Sequence, residues 1–405
     1  MIDLLIHDAA ELLTGPTDGT LKPIEDGAVA IDDGTIVAAG KNEAVTEAYP
    51  PASATQTIDA SGQTLAPGFV DSHTHALFGG DRSDEFAAKL EGTSYQEIAD
   101  DGGGILRTVR ATRSASDDVL LDRLRATLDT MVAHGTTTVE IKSGYGLDVE
   151  TELRMLSLIE RAGETHPVDV IPTFMGAHAV PEDESTSTYV DQVVTEQLPA
   201  VEAQGIAQFC DVFCEDGVFD VAQSRRILSA GIDHGLTPKI HAEEFVHLGG
   251  AALAAEIGAT SADHLLKATD DDRTALIEAA VTPVLLPGTA FTLDAAYADA
   301  RAFLDAGGSV ALATDFNPNC HSPSMPMTVA LGCVGMRMTP LESMTAATVW
   351  GARALDLTET GVGTIQQGAP ADLVVLDGPT HVHVPYSFGV NPVATVVKDG
   401  AVVVQ

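Results

Sequence analysis

The sequence predicts an α/β protein: an eight-stranded parallel barrel with a small β-sandwich built from both chain ends. Three observations carry this. Eight apolar, strand-like segments alternate with helical patterns through the middle of the chain. Polar residues gather at the C-terminal ends of those segments. Both ends of the sequence hold short apolar runs broken by Asp-Gly pairs.

Residues 1–66 supply the first part of the sandwich. In AVAIDDGTIVAAG, Asp33-Gly34 separates two apolar runs, which predicts a hairpin. Residues 67–355 form the barrel. Its predicted strands are FVDSHTH, TTVEIK, VDVIPTFMG, FCDVFCE, PKIHAEE, SADHLL, TPVLLPG and SVALATDFN. Between the first two, Leu121, Leu124, Leu128, Met131 and Val132 recur at helical spacing, and Gly135 stops that helix. Residues 356–405, with GTIQQGAPADLVVLDG and VATVVKDGAVVVQ, return to strands and complete the sandwich. A doubly wound open sheet is the alternative for the middle segment.

Composition narrows the function. The 405 residues carry 21 Lys and Arg against 59 Asp and Glu, a formal charge of −38. No basic patch outweighs that, so neither a nucleic-acid backbone nor an anionic membrane is an expected partner. No apolar run reaches the roughly 18 residues of a membrane span. The N-terminus has acids where a secretory signal has bases, so a cytoplasmic location is expected. Molar salt shortens the Debye length to about 3 Å and screens such self-repulsion. The acidity therefore points to a salt-rich cytoplasm, as in a halophile. Cys210, Cys214, Cys320 and Cys333 are too scattered for a disulfide framework and read as buried thiols.

The strand ends carry the chemistry. His73 and His75 stand two apart in HTH, so on a strand both imidazoles face one way and can reach one metal. His241, His264 and Asp315 end later strands. Imidazole and carboxylate suit zinc or iron, and three His with one Asp leave a position for water. Arg82, just after the first strand, offers a planar fork for a carboxylate; the alternative is a surface pair with Asp81 or Asp84. His134 and His247 fall in helical patterns and read as solvated or capping residues.

PGFVDSHTH, HAEE, SADH and ATDFNP resemble the amidohydrolase superfamily. FGGDR, KSGYGL, GAHAVP and DFNP narrow the resemblance to the imidazolonepropionase family of histidine-degradation enzymes, through nearly the whole chain. The resemblance implies a TIM-like barrel and hydrolysis of the cyclic amide of 4-imidazolone-5-propanoate to N-formimidoyl-L-glutamate. It implies one zinc or iron ion held by His73, His75, His241 and Asp315. Substrate contacts match Arg82, Tyr95, Tyr145, His178, Glu244, Asn317, Asn319 and Cys320. Here DFNP continues as Asn319-Cys320-His321, where family members more often carry small residues, so the backbone groups of Asn319 and Cys320 are alternative contacts. Lys142 lies on the second strand and the fourth has no lysine, so the carbamylated bridging lysine of two-metal relatives is not expected. Glu215 is the remaining candidate to bridge a second ion. A homodimer is expected.

The mechanism that follows has a bound ion lowering the pKa of its water to about 7. His264 donates to the developing oxyanion, Asp315 orients the nucleophile and takes its proton, and Glu244 delivers a proton to the leaving nitrogen. Either glutamate of HAEE could face inward, and the family match favours Glu244 over Glu243. Two other readings stay open: a guanine-type deaminase, which would need no carboxylate clamp, and a non-catalytic scaffold, which would need no metal set.

Overall fold

The computed structural model describes residues 1–16, 19–93, 97–98 and 101–405. Eight strands form a parallel sheet in strict chain order: β6 (Phe69–Asp71), β7 (Thr136–Lys142), β8 (Asp169–Ala177), β9 (Phe209–Cys214), β10 (Thr237–Ala242), β11 (Ser261–His264), β12 (Thr282–Leu285) and β13 (Ala311–Leu312). The sheet closes just beyond its first and last strands. Thr74 bridges Phe316 in parallel, His75 N–H donates to Phe316 O at 2.9 Å, and Asp315 N–H donates to His73 O at 3.1 Å. The middle segment is therefore a closed barrel and not an open doubly wound sheet.

All eight expected strands are present, but most end earlier than their apolar pattern suggested. His73 and His75 lie past β6, not within it. The physical reason is the barrel mouth. Glu243, His264 and Asp315 adopt left-handed backbone (φ 57°, 74° and 50°), which breaks the ladder and turns side chains over the opening. The helix Asp117–Ala133 buries Leu121, Leu124, Leu128, Met131 and Val132 as its spacing requires. Ser116 caps its start by accepting from Val119 N–H, His134 ends it, and Gly135 follows at φ 87°.

Both chain ends share a second sheet. Its order is β16 (Ala401–Val404), β15 (Val393–Lys398), β14 (Leu373–Asp377), β5 (Gln63–Pro67), β1 (Ile2–Thr14), β2 (Lys22–Asp32) and β3 (Thr35–Lys41), with β4 (Ala54–Asp59) also on β1. The Asp33-Gly34 and Asp399-Gly400 pairs make the tight turns, each with both residues at positive φ. β5 and β14 join the two ends antiparallel, with Leu65 opposite Val375. Leu4, Ile6, Leu12, Val29 and Ile31 from one end pack in one cluster with Leu373, Val375 and Val397 from the other, the sandwich core. The terminal segments are not wholly β: Asn42–Ala48 is a helix that buries Val45, and of GTIQQGAPADLVVLDG only Leu373–Asp377 is a strand. Among the described residues no helix is long and apolar enough to cross a membrane.

Candidate active site and metal centre

The strand-end histidines converge. His73, His75 and His241 each place a ring nitrogen within 4.8 Å of the others, all buried. His73 Nδ1 donates to Asp263 Oδ2 at 2.6 Å, and His241 Nδ1 lies 3.1 Å from both oxygens of Asp211. Those bonds fix the tautomers, so the Nε2 lone pairs of His73 and His241 face inward. His73 Nε2 is buried with no hydrogen-bond partner, and His241 Nε2 stands 3.4 Å from His75 Nε2. Asp315 Oδ1 approaches His73 Nε2 to 3.6 Å and His75 Nε2 to 3.8 Å. A buried, partnerless imidazole nitrogen aimed at two others and a carboxylate fits a metal ion. Burial pushes the pKa values of His73 and His75 well below the ordinary value, so both are neutral donors.

Asp315 is held from two sides. Thr289 Oγ1 donates to Oδ2, and Asn317 Nδ2 donates to Oδ1 at 2.9 Å. Asn317 Oδ1 in turn accepts the N–H groups of Asn319 (2.7 Å) and Cys320 (3.0 Å). The cavity beside the histidines is lined by His75, Arg82, Tyr145, His178, His241, Glu244, His264, Asp315, Asn317 and Asn319. Ten expected positions thus meet in one place.

The two glutamates of HAEE separate cleanly. Glu243 accepts from Leu248 N–H (2.7 Å), Gly249 N–H (2.8 Å) and Ala251 N–H (3.2 Å), and so anchors the start of the next helix, Gly250–Ile257. Glu244 faces the cavity, with Oε1 3.7 Å from His264 Nδ1. Burial, with Asp315 and Glu215 nearby, raises its pKa well above the ordinary carboxylate value, which favours the protonated acid. Burial and His241 push His264 the other way, leaving it neutral.

His178 stacks on His75 at 4.7 Å between centroids, and its pKa is lowered to about 3, mainly by burial. Its Nδ1 donates to Gly144 O at 3.0 Å, which leaves Nε2 an acceptor. Gly144 is obligatory here: at φ 100°, an added Cβ would meet Met175 O at 2.9 Å. Glu152 fixes the same loop, accepting N–H groups from Gly144, Gly146 and Leu147, and so places Tyr145.

Several expectations need correction. Arg82 pairs with neither Asp81 nor Asp84; it is buried, and its Nε donates to Glu85 Oε2 at 2.7 Å while Arg107 takes Asp84. Cys320 lines a neighbouring cavity of about 400 Å³ and not the one beside the histidines. Its Sγ contacts Thr314 O, and its own N–H and C=O close a turn with Asn317, so its backbone is not free for a ligand. Asn319 reaches both cavities, with Oδ1 bonded to Lys89 Nζ at 2.6 Å and its N–H on Asn317. Glu215 Oε1 accepts from Asp216 N–H at 2.9 Å and Oε2 from Phe245 N–H at 2.8 Å. His247 lies in a loop, paired with Asp272, whereas His134 caps a helix as expected. Tyr95 lies outside the described residues.

Asp211, Asp263, Thr289 and Glu152 were missed. The signal for the first two was present: a lone acid inside an apolar parallel strand, as in FCDVFC, has no water and needs a buried partner.

A closed barrel with histidines and an aspartate at its C-terminal mouth defines a metal-dependent hydrolase of the amidohydrolase type. The amidohydrolase family profile matches residues 64–403. A curated imidazolonepropionase from Haloarcula marismortui is 63% identical over 404 residues, covering 99% of this chain and 96% of its own. One from Symbiobacterium thermophilum is 48% identical, covering 100% of this chain and 98% of its own. The zinc-bound crystal structure of an adenosine deaminase from Xanthomonas campestris superposes with a TM-score of 0.73 at 18% identity, covering 100% of this chain and 93% of that one; it shares the fold. The chain belongs to the amidohydrolase family and, within it, to the imidazolonepropionases.

Proposed function

We propose that the protein hydrolyses the ring amide of 4-imidazolone-5-propanoate to N-formimidoyl-L-glutamate in histidine degradation. One observation carries the reading beyond family membership. The buried Arg82 guanidinium lines the same cavity as His75, His241 and Asp315, which puts a cationic fork suited to an anionic tail beside the histidines. His73, His75, His241 and Asp315 would hold a single zinc or iron ion, which would supply an activated water at neutral pH. Arg82 grips the propanoate. Tyr145 and Asn319 line the wall beside it, and Tyr95 is assigned to the same substrate. His178 Nε2 accepts from a ring N–H. Asp315, aligned by Thr289 and Asn317, takes the proton of the attacking water. His264 donates to the oxygen that gains charge, and Glu244 passes its proton to the leaving nitrogen.

This reading treats 67–355 as the catalytic unit, flanked by 1–66 and 356–405, and the working form as a cytoplasmic homodimer. The test is to incubate metal-loaded protein with imidazolone propanoate in high salt and assay for formiminoglutamate. Chelation should abolish turnover and leave the far-UV spectrum unchanged, because the ligands sit at strand tips outside the core. Full turnover in verified metal-free protein would sink the mechanism.

A further inference from the structure

Beneath the histidines lies a layer of charge that the mechanism does not use. We propose that Lys142 is a positioning residue for the metal centre: acting through Asp211 and Asp263, its ammonium sets how tightly the histidine cluster holds its ion. The inference rests on reading His73, His75 and His241 as metal ligands.

The placement follows from the barrel. Lys142, Asp211 and Asp263 come from β7, β9 and β11, the second, fourth and sixth strands. Side chains from alternate strands share one interior layer, and these three meet there fully enclosed. Lys142 Nζ lies 2.8 Å from Asp211 Oδ2 and 3.8 Å from Asp263 Oδ2. The same two carboxylates hold Nδ1 of His241 and of His73. One ammonium therefore pairs closely with the acid behind His241 and lies within ion-pair distance of the acid behind His73. Glu140, two residues before Lys142, completes the cluster at 2.8 Å and is shared with Lys239 at 3.0 Å.

Geometry and charge both matter here. A carboxylate that orients a ligand histidine is effective only if it is itself fixed. Without Lys142, Asp211 loses the ammonium 2.8 Å from its Oδ2 and Asp263 loses one of its two countercharges, Lys239 being the other, while both acids are fully buried. Burial alone would push the Lys142 pKa down, yet Asp211, Glu140 and Asp263 hold it above the ordinary lysine value, consistent with a permanent ammonium.

The test is the zinc dissociation constant, measured by chelator competition on folded protein. Lys142→Met should weaken zinc binding about 10- to 100-fold, the range for changes behind the ligands. Lys398→Met removes another buried lysine, paired with Asp372 in the other sheet, and should leave the constant at its wild-type value. In a background carrying both Asp211→Asn and Asp263→Asn, adding Lys142→Met should cost far less than it does alone, because both carboxylates it serves are gone. A folded Lys142→Met with wild-type affinity, or an equal loss in Lys398→Met, overturns the inference. If Lys142→Met does not fold, the triple variant decides: a further tenfold loss relative to the chain carrying Asp211→Asn and Asp263→Asn overturns it, and a near-equal constant supports it. A wild-type chain that takes up no zinc or iron would overturn the metal reading itself, and this step with it.

Discussion

Asp71 on the first barrel strand accepts two hydrogen bonds from Thr314 beyond the last, one from its backbone N–H at 3.0 Å and one from its hydroxyl at 2.6 Å. This single carboxylate fastens the seam of the barrel directly beneath the metal centre. Asp71→Ala would leave the buried Thr314 N–H without an acceptor, at a cost of about 1–3 kcal/mol, with the lost hydroxyl bond added. The melting temperature should fall by several degrees. Asp71→Asn keeps an acceptor for the N–H and a partner for the hydroxyl, and should recover most of the loss.

The adjacent glutamates should give opposite phenotypes. Glu244→Gln keeps the shape but cannot deliver a proton, so kcat should drop about 10²- to 10⁴-fold with little change in melting temperature. Glu243→Ala frees three backbone N–H groups and should destabilise by at least about 2 kcal/mol. Paired kinetics and thermal melts of both variants check this, and a catalytic loss confined to Glu243 variants would reverse the assignment.

For Arg82, Met removes charge and fork, while Lys keeps only the charge. A buried charge-assisted hydrogen bond contributes roughly 1.5–3 kcal/mol, or about one to two decades in kcat/KM. Arg82→Met should lose at least that, mainly in KM, with Arg82→Lys between and metal content unchanged. Near-normal kcat/KM in fully metallated Arg82→Met would reopen the deaminase reading.

The −38 charge makes stability depend on salt. The melting temperature should climb steadily from dilute buffer to molar potassium chloride as self-repulsion is screened. A flat or falling curve would count against a salt-adapted protein, despite its likeness to relatives from Haloarcula and Halobacterium.

The barrel was legible because its largely apolar strands alternate with helical patterns and several of them end in a polar residue. His241, His264 and Asp315 stood out on that basis. Strand ends were less legible. Periodicity cannot register a left-handed residue such as His264, so the apolar SADHLL looked longer than the ladder it makes. Asp81 and Asp84, the alternative partners for Arg82, rested on nearness in sequence. A helix from Ser83 to Leu90 instead puts Glu85 beside the guanidinium. The choice between Glu243 and Glu244 depended on a backbone reversal at Glu243, which no side-chain pattern encodes.

The β5–β14 pairing has a consequence for how the chain is made. Leu65 emerges from the ribosome early, while its partner Val375 follows about 300 residues later. At about 5–20 residues per second that is a delay of roughly 15 to 60 seconds. Throughout it, β5 offers an unpaired edge, and the apolar face of Leu4, Ile6, Leu12 and Leu65 lacks its cover from Leu373 and Val375. The barrel can close first, since its strands pair in the order of synthesis. The second sheet then acts as a final latch, so a ribosome that stalls late releases a chain with its catalytic barrel assembled and a sticky open edge beside it.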